Sequence, residues 1–315
     1  MYIHCDVARG EGKVSIIDSD DRRAGVPAPS PTVSIRWKGL ATATSSVVHN
    51  GESLGTISLL RREGWIRKDG TVVDIPLVSG NALRGVLRRT GEEMMREVLR
   101  YEGELAPSVA HALFGGGVLS RRTGEPLSGE RLHVLRTLVP QLGVFGGSIA
   151  GRVMDGILDV GKLIPVCLET HEDLDLPDGL HKPPLLSADD LIQVEAYSRN
   201  DESAGPTYAH LTRATAPAEA STLMRYSAES FMVGTTFSMM LNLRGATPCE
   251  SAFFRELVDV YVADARVGGR RGQGHGRLSL HIAPTVTAGT PTRFDWRGFL
   301  TEHRDEAVNL LKQLA

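Results

Sequence analysis

The stretch TVVDIPLVSGNALRGVLRRTGEEMMREVLR, residues 71–100, constrains this chain more than any other. A β-branched run leads to Pro76, which holds Ile75 in extended geometry and ends the run. Ser79 or Asn81 is then a suitable N-cap for a helix beginning near Ala82. Leu83, Leu87, Met94, Met95 and Val98 recur at helical spacing and mark its buried side, whereas Arg84 and Arg88, four apart, share another face. Strand, small-residue cap and arginines in the first turns bring backbone amides, the positive end of a helix dipole and guanidinium groups together. That is the chemistry of a phosphate site. A surface helix with merely solvated arginines reads the same locally, so the rest of the chain has to decide.

Composition narrows the partners. At 315 residues, 41% hydrophobic and 23% charged, the chain has the make-up of a soluble globular protein of one large or two ordinary domains. Aromatic residues are 5%, which disfavours stacking bases on a row of sheet Phe and Tyr. The net charge of −3 argues against a broadly basic surface, so a nucleic-acid site must be a local stripe of arginines. Cys5, Cys167 and Cys249 are far apart without a CxxC pair, so a reducing compartment is expected, with neither disulfide framework nor zinc site. The first thirty residues carry His4, Asp6, Arg9, Glu11 and Lys13 and lack the apolar core of a signal peptide. No apolar run is long enough to span a bilayer. A cytoplasmic protein without a membrane partner is expected.

Along the chain, YIHCDV and KVSIID read as a hairpin within residues 1–31, followed by a Pro/Gly/Ser connector. Thr32 to Thr44 alternates, with Val33, Ile35 and Trp37 on one side and Ser34, Arg36 and Lys38 on the other, as in a half-buried strand. Asn50-Gly51 and Asp69-Gly70 are turn signals. Between them the basic pairs Arg61-Arg62 and Arg67-Lys68 flank Trp65, either along an RNA path or on a solvated strand edge. APSVAHALFGGG is a short helix ended by glycine, and a strand is expected near 159–168. LGVFGGSIAG lacks the GxGxxG spacing of a nucleotide site. HEDLDLPDGLH has histidines and acids but no metal-site spacing, and reads as a solvated acidic loop.

Ile192 to Tyr197 is a strand, followed by a long polar segment of the kind that is usually functional or disordered. Met224 to Leu243 forms two strands around Val233-Gly234-Thr235. Cys249 to Ala263 is a second core helix with Phe253, Leu257, Val260 and Tyr261 on one face. A final strand spans Arg277 to Ile282, and the tail is an amphipathic helix. The core order is strand, helix, strand, strand, helix, strand: an α+β fold of ferredoxin-like or RRM-like topology.

A second constellation lies just before the last strand. RVGGRRGQGHGR, Arg266 to Arg277, holds four arginines, five glycines, one histidine and no acid. Glycine lets backbone N–H groups approach an anion, and arginine grips phosphate with two donors at once.

IPLVSGNALRGVLR resembles the first-helix motif of the RAMP superfamily, the RRM-like proteins of CRISPR systems, and the glycine-rich stretch resembles their RNA-facing loop. The similarity covers most of residues 32–285 and is nearest the backbone subunits, the seventh Cas family, in their type IV form. It implies an N-terminal hairpin extension at 1–31 and an RRM-like palm at 32–285. Inserted into the palm would be a helical lobe at about 101–160, with Phe145-Gly146-Gly147 as a close-packing turn, and a long β-hairpin thumb at about 198–226. A C-terminal helix would follow at 286–315. It further implies many copies along one guide RNA in a helical filament, alongside other CRISPR subunits, with guide bases presented to a target nucleic acid and no cofactor. Arg84, Arg88, Arg270, Arg271 and Arg277 would take phosphates, with Ser79, Asn81, Arg266, Gln273 and His275 beside them. Tyr208, His210 and Arg213 of the thumb would touch bases or phosphate.

The rival is a RAMP-type endoribonuclease acting on guide precursor or target RNA. Target-cleaving relatives use an aspartate after the first strand; Ser45 to Arg62 contains Glu52 but no aspartate. Guide-processing relatives use a histidine, for which His49, His210 and His275 are candidates without an evident paired acid or lysine. A binding protein rather than an enzyme is the expectation.

Overall fold

Alternation of apolar residues builds the central strand. β3 (Val33–Ala43) buries Val33, Ile35 and Trp37 and leaves Arg36 exposed. The computed structural model describes residues 2–5, 14–17, 32–118, 129–176, 185–200 and 223–315. At the start of the chain β1 (Tyr2–Cys5) and β2 (Val14–Ile17) pair antiparallel, as the sequence suggested. Beyond β3 come β4 (Asn50–Leu54) and β5 (Ile57–Leu60), β6 (Arg62–Ile66) and β7 (Val72–Pro76), then helix α1 (Gly80–Leu99). Next are α2 (Pro107–Gly115), α3 (Gly129–Leu138), α4 (Pro140–Phe145), and the small pair β8 (Gly147–Ile149) and β9 (Arg152–Met154). Strands β10 (Leu158–Val160), β11 (Ile164–Pro165), β12 (Ile192–Asn200), β13 (Leu223–Phe231) and β14 (Thr236–Ala246) follow. Helix α5 (Pro248–Ala263), strand β15 (Leu278–Ala288), and helices α6 (Trp296–Glu302) and α7 (Arg304–Gln313) complete the chain.

The principal sheet has the order β10-β14-β3-β15, with antiparallel neighbours and β11 also on β14. Taken in chain order, β3, α1, β10, β14, α5 and β15 give the expected strand, helix, strand, strand, helix, strand sequence of an α+β fold. Trp37 of β3 meets Phe254 of α5 edge to face at 5.2 Å. Helices α1 and α5 cross where α1 has Gly91; a β-carbon there would lie 2.8 Å from Leu257. Glycine thus sets the helix spacing at this crossing. β15 is an edge strand, and Pro284, opposite Trp37, removes one N–H from its pairing capacity.

A second sheet, β12-β13-β5-β4, sits beside the first. Its only parallel pair among the described residues is β13 with β5, at Ser227↔Ile57. The chain leaving β3 joins the two sheets at Val47, which bridges to Phe231 of β13. The place where this exit segment, β12–β13 and the loop before β15 converge becomes the site described below.

Several sequence expectations change in three dimensions. Asn50-Gly51 is not a turn: it opens β4, and Gly55 at φ +60° makes the turn. Gly51 is needed because a β-carbon would press on the Arg61 backbone at 2.8 Å. Val260 is 44% exposed, and Phe254 takes the buried place on α5. The tail is two helices broken at His303, whose ring Nδ1 donates to the Phe299 carbonyl at 2.9 Å. The acidic loop is more than solvated, since Asp175 pairs with Lys38, Glu172 pairs with Lys68 at 3.6 Å, and Asp173 accepts from the Trp65 indole at 3.1 Å. Of the basic pair Arg61-Arg62, Arg61 stays exposed while the half-buried Arg62 grips Glu229 at 2.8 and 3.1 Å.

Candidate nucleic-acid interface

The glycine-rich loop is zipped to the segment that leaves β3. Gly276 N donates to Ser46 O at 2.8 Å, Gly269 N to Val48 O at 2.8 Å, and Arg277 N to Ser45 Oγ at 2.9 Å. Two glycines make this possible. Gly268 at φ +77° and Gly276 at φ +85° lie so close to the Val48 and Val267 carbonyls that a β-carbon would collide with them. Those glycines therefore serve backbone-to-backbone approach. Gly272 and Gly274 have open space around them and leave their part of the loop bare.

A hydrogen-bond relay then ties the loop to β12. Ser46 Oγ lies 2.8 Å from His275 Nδ1, and His275 Nε2 lies 3.1 Å from Tyr197 Oη. Tyr197 donates to Glu195 Oε2 at 2.9 Å; Ser230 and Gln193 donate to Glu195 Oε1 at 2.6 and 2.9 Å. An ionised carboxylate only accepts, which fixes the direction of the chain. Tyr197 gives its proton to Glu195, its oxygen accepts from His275 Nε2–H, and Nδ1 accepts from the Ser46 hydroxyl. Burial pushes the Glu195 carboxyl up, but the hydrogen bonds from Ser230, Gln193 and Tyr197 outweigh it and hold the pKa at about 2.

On the same face of the β12–β13 ladder, Tyr197 and Tyr226 are opposite each other, with centroids 5.3 Å apart and planes within 15°. The guanidinium carbon of Arg270 lies 4.1 Å from the Tyr197 centroid and 5.2 Å from that of Tyr226.

Arg271, next in sequence, donates from Nε to the Gly268 carbonyl at 3.3 Å and lies within electrostatic reach of Arg89 on α1. Burial, and after it the charge of Arg89, lower its pKa; Arg266 adds to the repulsion. Arg266 has Asp264 as its partner at 3.1 Å, whereas Arg89 lies over the Phe114 ring at 5.9 Å. Arg271 thus feels two like charges, one from the helix and one from its own loop, a repulsion that an anion would relieve.

No protein-family model and no curated protein matches the chain. Among solved structures it matches a chain of a structure described as "Type IV-B CRISPR Complex", with 30% sequence identity and a TM-score of 0.57. The match covers 83% of this chain and 96% of that one. The chain belongs to the subunits of type IV CRISPR complexes.

In this CRISPR subunit the sequence-derived residues have separate fates. Arg84 and Arg88 do not offer their forks to solvent, as expected of phosphate ligands. Arg88 is 8% exposed and donates to the carbonyls of Ala112, Gly146 and Phe145 at 3.1, 2.9 and 2.7 Å. Arg84 donates to Phe145 O at 2.8 Å and to Leu158 O. Both tie α1 to backbone carbonyls of the segments that follow it, Ala112, Phe145, Gly146 and Leu158. Ser79 is the N-cap and accepts from Ala82 N, while Asn81 is exposed on the first turn. Gln273 and Arg277 are exposed, and His275 is buried inside the relay. Tyr208, His210 and Arg213 lie outside the described residues.

Sequence reasoning missed Arg89, Glu195, Tyr197 and Tyr226, and saw Ser46 only as part of the short-chained polar end of the first strand, either near a nucleic-acid backbone or in an ordinary turn. Arg89 stood beside Arg88 and one helical step further round, a signal that helical phase alone carried. The other four come from segments up to 229 residues from the loop they serve. Among the described residues no group of three or more His, Cys, Asp or Glu is placed to hold a metal. Nor is any described helix long and apolar enough to cross a membrane.

Proposed function

We propose that this CRISPR subunit is a RAMP-type backbone subunit that binds the guide RNA backbone in many copies and presents its bases for pairing with a target. Arg271, followed in the chain by the bare Gly272 and with Arg89 of α1 and Arg266 within electrostatic reach, carries this reading. A mildly acidic molecule has collected like charges at one place, which favours a polyanion there. The strand and helix order of the principal sheet is the one expected for an RRM-like palm, and the paired β12 and β13 form the base from which the thumb would project. The similarity to a chain of a type IV-B CRISPR complex supports partners drawn from such a complex; copies of this chain among them are part of the proposal.

A nuclease would draw on His275, which has gained the partner acid that was not evident in the sequence: Glu195 lies 3.6 Å from its Nε2. Both ring nitrogens are engaged, however, and the side chain is 8% exposed. That favours a locking role over abstraction of a 2′-hydroxyl proton. Purification from the expression host tests both readings. Nucleic-acid absorbance of uniform length with a large assembly on gel filtration supports the backbone role. Cleavage of labelled RNA, lost in His275→Ala, would replace it with the enzyme.

A further inference from the structure

Arg270 sits where an arginine is not the easy choice. Its backbone is in the left-handed region, at φ 55° and ψ 30°. Glycine would adopt that conformation freely, and the loop uses five glycines nearby. A non-glycine residue held there carries strain that its surroundings must over-determine. The surroundings are the two tyrosine rings. The side chain lies across both, and its Nη1 makes no hydrogen bond. Ring contact thus takes the place of an acceptor at that end of the fork. The relay from Glu195 through Tyr197 and His275 to Ser46 ties the ring beneath it to β12, to the loop and to the segment leaving β3.

A phosphate contact needs N–H edges aimed at the ligand. A guanidinium seated over two aromatic rings spends one side on them, and this residue remains partly exposed. We infer that Arg270, backed by Tyr197 and Tyr226, is a stacking platform for an unpaired nucleobase of a single strand, and is not one of the phosphate contacts. This rests on the nucleic-acid reading above. Every base has a π-face, so the platform is indifferent to sequence. Glu195 is its positioning residue, acting through Tyr197.

The test uses the full chain and two oligoribonucleotides of equal length and charge: an adenine homopolymer, and the same ribose-phosphate strand without bases. Arg270→Ala and Arg270→Lys are both expected to weaken binding of the base-bearing strand about tenfold or more. Both should leave affinity for the abasic strand, and the salt dependence of each, as in the wild type. Arg271→Ala, the phosphate-type control, weakens both strands alike. Equal losses on the two strands in Arg270→Ala, with recovery in Arg270→Lys, would make Arg270 a point-charge contact and overturn the proposal. Arg270→Lys keeps the test open if the alanine variant does not fold. If the wild type binds neither strand, the nucleic-acid reading itself fails and takes the platform with it.

Discussion

Arg136 clasps the fully buried Glu250 with two hydrogen bonds, Nε to Oε1 at 2.7 Å and Nη2 to Oε2 at 2.8 Å. The same carboxylate closes the capping box of α5, accepting from Thr247 N at 2.9 Å. One side chain therefore fastens α3 to the start of the second core helix. Removing one member of a buried pair strands the other charge without water. Arg136→Met is expected to lower the unfolding free energy by about 3 kcal/mol in urea titration. The double change Arg136→Met with Glu250→Gln should lose less than Arg136→Met alone. A single-variant loss no larger than a surface pair gives would mean that solvent reaches Glu250.

Arg88 makes a similar argument without an acid. Burial, and after it the charge of Arg84, lower its pKa to about 10, while its guanidinium satisfies the carbonyls of Ala112, Phe145 and Gly146. Lysine cannot reach three acceptors lying in one plane. Arg88→Lys is expected to cost about 2 kcal/mol of stability, because buried carbonyls lose their donors. The folded variant should show the same salt dependence of RNA binding as the wild type. A shallower dependence would return Arg88 to the binding surface.

The core strands, both core helices and the Ser79 cap were legible because each rests on a short-range signal: period two, period 3.6, or a capping residue three positions before the N–H it accepts from. Which arginines face outward was not legible. Arg84, Arg88 and Arg89 share one helix, and only the docking of residues 112–158 decides which two become internal struts. The glycine-rich loop was recognisable, but its composition does not distinguish glycine that admits an anion from glycine that admits another backbone. Gly268 and Gly276 do the second. The relay was invisible because Ser46, Glu195 and His275 are joined only by folding.

Glu195 should write itself into the acid limb of stability. Its folded pKa of about 2 lies below the ordinary value of 4.5. A depressed carboxyl contributes stability that is present in full above the unfolded pKa and is lost as pH falls through the folded one. The loss therefore falls between about pH 4.5 and about pH 2. Glu195→Gln, which does not titrate, is expected to be less stable than the wild type at neutral pH and to converge on it across that window. Parallel curves over the whole range, from urea midpoints measured at each pH, would place the ionised carboxylate outside the relay.

Arg89 is the residue on which the reading of the surface is most exposed to test. It shares its helix with two buried arginines, yet its own guanidinium lies over Phe114 and within electrostatic reach of Arg271. If Arg89 and Arg271 hold successive phosphates of one strand, Arg89→Ala removes one counterion-releasing contact. The slope of log affinity against log salt should then fall by about 0.7, the single-strand value per phosphate. Arg89→Lys should recover most of the affinity, since a point charge suffices for phosphate. Arg62→Ala, whose partner is Glu229, should leave the slope unchanged while lowering stability. If Arg89→Ala and Arg62→Ala instead move the slope by the same amount, the charge at the loop is no different from charge elsewhere on the surface, and the site must be sought on another face.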